Sequence, residues 1–194
     1  HQYYKITSRG NTAITAALSL FQKEDLILIP EEGGWLTYQK IPNHQTVKCN
    51  HARINLEDLK EQLQKKPKAI IYHNPGGYFA EQPIEEIYAL CKQHDCLVIM
   101  DVAGSIGTEL ANGDYADIMV GSFGKWKLVE AKVGGFVSAK NKELLEKLAI
   151  TELTEPKSLE SIEKNLHLLP ERINYLTKIK QKITEDLKDF NILR

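Results

Sequence analysis

No apolar run in this sequence approaches the roughly 20 residues needed to cross a bilayer, so no membrane span is predicted. The opening His1-Gln2-Tyr3-Tyr4-Lys5 also lacks the apolar stretch of a secretion signal, which predicts a cytoplasmic location. Charge of one sign is missing too. The 25 Lys and Arg against 26 Asp and Glu leave a net charge of −1, with no global field to hold the chain on nucleic acid or an anionic membrane. Cysteine is scarce and odd in number: Cys49, Cys91 and Cys96 form no C-x-x-C pair. That argues against a disulfide framework or a zinc knuckle, and predicts reduced, buried thiols. The histidines are scattered without H-x-x-x-H spacing, so no metal site is predicted, and neither repeats nor low-complexity segments occur. What remains is a chain of 194 residues, 42% apolar and 26% charged, with the composition and length of one ordinary globular domain.

Short apolar runs alternate with amphipathic stretches through the first two-thirds. Gly10–Gln22 reads as a helix, with Ile14, Ala17, Leu18 and Phe21 on one stripe. Asp25–Pro30, Gln45–Cys49, Lys68–His73, Cys96–Asp101, Tyr115–Val120 and Val133–Ala139 read as strands. Helices are predicted over Leu56–Lys65 and Ile84–His94, between the strands. This alternation predicts a three-layer α/β/α sandwich: a mostly parallel sheet of about seven strands with helices on both faces. After Ala139 the chain turns charged and helical, interrupted by Pro156 and Pro170. Arg172–Phe190 reads as an amphipathic packing helix. Residues 1–139 are thus predicted as the α/β domain and 140–194 as a helical extension.

In open α/β sheets, ligands bind beyond the carboxyl ends of the strands. Four positions there can carry chemistry. Ser8-Arg9-Gly10-Asn11-Thr12-Ala13 opens the first helix, where free N–H groups suit an anion, although a Ser or Thr there also serves as a plain cap. Asp101 ends an apolar strand, placed either to face a site or to cap a turn. Gly121-Ser122-Phe123-Gly124-Lys125-Trp126-Lys127 follows another strand; its lysines are either functional or solvated. His73-Asn74-Pro75-Gly76-Gly77 is a turn that sets Asn74 at a strand end.

In this order, the residues carry a resemblance. Met100-Asp-Val-Ala-Gly-Ser-Ile-Gly-Thr108, then Ala116-Asp-Ile-Met-Val-Gly-Ser-Phe-Gly-Lys-Trp-Lys127, then Gly134-Gly135 resembles the DegT/StrS sugar aminotransferases. These are fold-type I enzymes dependent on pyridoxal 5'-phosphate (PLP). The family pattern is E-D-A-A-x-S-x-G, then G-D-x-x-x-x-S-F-x-x-x-K, six residues and a glycine pair. Six residues separate Lys127 from Gly134 here. Ser8–Ala17 is similar to the family's phosphate-binding segment. The resemblance implies a Schiff base with PLP on Lys127 and pairing of Asp101 with the pyridinium nitrogen. It implies a phosphate held by Gly10, Asn11, Thr12 and Ser122, and a ring stacked on Trp35. It further implies a small-molecule amino donor and acceptor, and a homodimer.

Three departures accompany it. Gly104 stands where the family commonly has Glu, Gln or His, and the missing ring contact is expected from Asn74, whose turn is similar to H-N-P-T-G of aspartate-type aminotransferases. The broader S-x-x-K pattern selects Lys125 instead of Lys127. In an extended segment the two lysines would point to opposite sides. Family members are also longer, so the resemblance makes this the large domain alone, with Phe190–Arg194 leading toward a small carboxyl-terminal domain that is absent. Alternatives to amino transfer are other PLP chemistry of lyase or desulfurase type, and a degenerate scaffold that binds a partner.

Overall fold

The computed structural model describes residues 1–190; the segment 191–194, expected to lead toward a further domain, lies outside them. The chain runs β1 (Tyr3–Thr7), α1 (Gly10–Leu18), β2 (Ile27–Pro30), β3 (His44–Val47), a short hairpin β4 (Cys49–Asn50) and β5 (Arg53–Ile54), α2 (Leu56–Leu63) and β6 (Ala69–His73). It continues through α3 (Ile84–Gln93), β7 (Leu97–Asp101), β8 (Ile118–Ser122), β9 (Gly135–Ala139), α4 (Lys142–Glu146), α5 (Pro156–His167) and α6 (Leu169–Asp186). Seven strands form one sheet in the order β1-β9-β8-β7-β6-β2-β3. From β8 to β3 neighbouring strands are parallel; β9 and β1 are antiparallel additions at one edge. The mostly parallel α/β/α sandwich is the architecture that the alternating pattern predicts.

Strand alternation builds a core on each face. Ile70 and Tyr72 of β6, Val98 and Met100 of β7 and Leu28 of β2 pack with Leu59, Leu63, Ile87 and Cys91 of α2 and α3. Ala69, Ile71, Ile99, Ile118 and Val120 pack on the other face against Ala13, Ile14, Ala16 and Ala17 of α1 and Leu145 of α4. Each fully buried Ile or Leu contributes about 1.5–3 kcal/mol, which explains why these strands are apolar on both sides.

Three local expectations differ. Strand β1 carries no readable pattern because it is largely exposed, and its pairing is with β9, far along the chain. The strand expected from Tyr115 begins at Ile118, since Asn112 caps a short 3-10 turn over Gly113–Tyr115 by accepting from the Asp114 N–H. Helix α1 ends at Leu18, four residues short of the expected Gln22, and Ser19 caps it. The extension after Ala139 rests on the same body: Ile162 of α5 and Leu169 of α6 join the first core, and Arg172 reaches Glu130 at 3.0 Å. Farther along α6, Leu176, Ile179, Ile183 and Leu187 are exposed. No described helix is long and apolar enough to cross a membrane.

Candidate active site

Sheet register brings distant segments to one edge. His73, Asp101 and Val120 lie side by side in β6, β7 and β8, so these parallel strands end together. Strand β9 starts at that same edge, with Gly135 opposite Ser122, and Thr7 of β1 lies opposite Gly135 before the chain enters α1. Beyond this edge opens a cavity of about 580 Å³ lined by Gly10, Asn11, Trp35, Asp101, Ser122, Lys125 and Lys127 among others. Asp101 and both lysines therefore share one site.

Asp101 is buried. Its Oδ2 accepts from the Tyr38 hydroxyl at 2.8 Å and its Oδ1 from the Ala103 N–H at 3.0 Å. No cation among the described residues forms an ion pair with it, so its charge is buried with neutral donors only. Cations share the cavity wall with it: Arg9, Lys125, Lys127 and Lys132. Burial, first, and then the charge of Asp101 and its hydrogen bond hold the Tyr38 phenol well above its ordinary value, so it stays a donor. His73 also lines the cavity. Burial pushes its imidazole below its ordinary value; Asp101 opposes and Lys127 adds to the effect, leaving a neutral ring near pH 7.

The start of α1, Ser8 to Asn11, also lines the cavity. Ser8 does not cap this helix: no side chain bonds its first turn, and the Ser8 hydroxyl instead meets Thr12 Oγ1 at 3.1 Å. The free N–H groups are thus left for an anion. Gly10 is required here by close approach, since a Cβ would lie 2.7 Å from Ser122 Cβ. Asn11 Oδ1 accepts from Trp35 Nε1 at 2.9 Å, tying the tryptophan loop to the helix. Thr12 is not in the cavity wall, whereas its partner Ser8 is.

Two expectations change. The lysine segment is a turn, with Trp126 in the left-handed region at φ 63°, so Lys125 and Lys127 face the same cavity instead of opposite sides. Lys127 donates to the Tyr78 hydroxyl and lies 4.6 Å from the centre of that ring, half-buried, while Lys125 is exposed. Asn74 is corrected in a different way. It is fully buried outside the cavity wall; its Nδ2 donates to the Leu110 carbonyl at 2.7 Å and its Oδ1 accepts from the Gln82 N–H at 3.1 Å. The room left by Gly104 is filled by Tyr78, whose ring stands 2.9 Å from where a Cβ would be. Tyr78 packs edge-on to His73 with centroids 4.6 Å apart. Tyr38, His73 and Tyr78 were not legible as site residues. The rule that selected Asp101, a polar residue ending an apolar strand, applies equally to His73.

A sequence profile of the DegT/DnrJ/EryC1/StrS aminotransferase family matches residues 39–165. The chain belongs to this family. Similar curated relatives are the GDP-perosamine synthase of Vibrio cholerae, 26% identical over 55% of this chain and 29% of that protein, and the cystathionine beta-lyase of Lactococcus lactis subsp. cremoris, 27% identical over 93% and 51%. The chain thus spans about half the length of these relatives or less. Among solved structures, the aminotransferase TlmJ of Streptoalloteichus hindustanus superposes with a TM-score of 0.78 at 18% identity, covering 99% of this chain and 60% of that one. That likeness shows a shared fold over nearly the whole chain.

Proposed function

We propose that this chain is the cofactor-binding part of a PLP-dependent aminotransferase acting on a small-molecule amino donor and acceptor. The observation that carries the reading is a buried carboxylate, Asp101, that no cation among the described residues pairs with and that faces a cavity shared with Lys125 and Lys127. Family membership supplies the reaction class.

The residues fit PLP in kind and order. Asp101 is the anion for a ring nitrogen, and the uncapped start of α1 with Gly10, Asn11 and Ser122 is the place for a phosphate. Thr12 contributes there by holding Ser8. Trp35 supplies an aromatic face, and Lys127 the amine to which the cofactor bonds, with Lys125 as the alternative. When bound, PLP supplies a protonated ring that takes up electron density from the substrate α-carbon. Asp101 keeps the ring nitrogen protonated, because a carboxylate beside a cation favours both charged forms. Lys127 moves the proton at the α-carbon. His73, neutral at pH 7, leaves the positive field of the cavity to the lysines and Arg9.

A homodimer belongs to the same proposal. Trp35, Leu36 and Tyr78 of the cavity wall are exposed, as are Phe79 and Trp126 next to wall residues in the chain, Trp126 to 89%; these are apolar groups that a second subunit would cover. Light scattering is expected to give twice the chain mass, and a strict monomer at high concentration would remove this part.

Lyase chemistry is the second reading, favoured by the coverage of the cystathionine beta-lyase relative. The desulfurase variant has less support, since Cys91 and Cys96 are fully buried and the half-buried Cys49 is not in the cavity wall. One experiment tests the series. PLP is added, bound cofactor is read by visible absorbance, the lysine bond is trapped with borohydride, and amino donors are then offered. Conversion of the donor to its keto acid with the amino group retained on the cofactor supports amino transfer. Release of free ammonia and pyruvate from a β-substituted amino acid selects the lyase, and failure to bind PLP selects the scaffold.

A further inference from the structure

We propose that Tyr38 is a positioning residue for Asp101, holding the carboxylate in the orientation that faces a ring nitrogen. This rests on the reading of Asp101 given above. Tyr38 lies on a 3-10 turn (Tyr38–Lys40) after β2 and is 1% exposed. Its ring is part of the core against α1, so packing fixes where its hydroxyl lies. That hydroxyl donates to Asp101 Oδ2 at 2.8 Å, while the Ala103 N–H occupies Oδ1.

Two donors on two oxygens leave a carboxylate no freedom to rotate about its Cβ–Cγ bond. A carboxylate offers about four lone-pair positions, so acceptor capacity remains for a group in the cavity. A backbone donor alone would fix one oxygen and let the other swing. Tyr38 supplies the second constraint and, because burial and Asp101 keep the phenol protonated, supplies it at every pH near neutrality.

Three residues earlier, Trp35 Nε1 donates to Asn11 Oδ1 at 2.9 Å at the start of α1. One short segment therefore holds the carboxylate through Tyr38 and bonds the start of α1 through Trp35.

The test uses Tyr38→Phe, which retains the buried ring and removes only the hydroxyl. PLP labelled at the ring nitrogen is bound to wild type and variant, and its nitrogen resonance and dissociation constant are measured. Loss of one hydrogen bond to a charged group weakens binding about tenfold, and the ring-nitrogen resonance moves because Asp101 is no longer held. An unchanged resonance with affinity within twofold overturns the positioning role. A second measurement needs no cofactor: ultraviolet titration of tyrosines is expected to show the buried Tyr38 and Tyr72 phenols resisting ionisation in wild type, and that of Tyr38 ionising at lower pH in Asp101→Asn. If Asp101→Asn leaves that phenol unmoved, the contact is absent and the inference fails. Wild-type protein that binds no PLP sinks the proposed function instead, so the two failures are distinct.

Discussion

Two buried carboxylates sit at opposite ends of the sheet, and their partners differ. Asp117, at the amino end of β8, accepts from Lys92 Nζ at 2.6 Å, the Val98 N–H at 2.7 Å and the Tyr88 hydroxyl at 3.4 Å. Asp101, at the carboxyl end of β7, has the Tyr38 hydroxyl and one N–H, both neutral. Asp117 has a local cation and ties α3 to the sheet. Asp101 is held in place without being neutralised, while the cations that could balance it share its cavity wall. The paired carboxylate serves the structure where it lies; the unpaired one has its charge available for the cofactor proposed above.

The largest expected effect tests the lysines that face Asp101. Lys127→Ala should abolish the label trapped by borohydride after addition of PLP, whereas Lys125→Ala should weaken PLP binding and leave the label. Peptide mapping that finds the label on Lys125 would reverse the assignment. Next comes stability. Asp117→Asn should cost about 2 kcal/mol, because it removes the charge that Lys92 and the buried Val98 N–H share, lowering Tm by about 4–8 °C. Asp101→Asn should leave Tm unchanged or raise it slightly, since its amide oxygen can accept from the Ala103 N–H, its NH2 can donate to the Tyr38 hydroxyl oxygen, and a buried charge without a cation disappears. Equal losses of Tm in the two variants would erase the distinction between the carboxylates.

The smallest effect is a pH dependence. His73 has its folded-state value lowered by burial, so below about pH 6.5 the unfolded chain binds a proton that the folded chain resists. Its contribution to stability is present above that pH and is lost on acidification toward the folded-state value. Denaturant titrations at pH 7 and pH 5.5 should therefore show a larger loss for wild type than for His73→Asn. Identical losses would mean that His73 protonates as readily in the folded protein as in the unfolded chain.

Local periodicity determined much of this protein. The apolar runs of β2, β6, β7 and β8 and the striped helices α2 and α3 are visible residue by residue, because burial on both faces demands unbroken apolar strands. Asp101, Ser122 and the two lysines were legible by the same means: polar residues ending apolar strands fall at one edge of a parallel sheet. The cofactor roles proposed for Gly10, Asn11 and Trp35 came from resemblance, and only the folded chain brings Trp35 to Asn11 and Gly10 against Ser122.

Contacts between distant segments decided the rest. Strand β1 exists because β9 offers an open edge, and nothing in Tyr-Tyr-Lys-Ile-Thr announces that partner. Asn74 looked like a ring contact from its turn, but buried polar groups must be hydrogen-bonded, and the folded chain commits its amide to Leu110 and Gln82. The turn at Trp126 put both lysines on one cavity where an extended strand would have separated them. Tyr38 reads as an ordinary tyrosine in a loop, and only tertiary packing brings its hydroxyl to Asp101, 63 residues away. Periodicity reports which side of an element is buried; it carries no information on which partner from another part of the chain will meet it there.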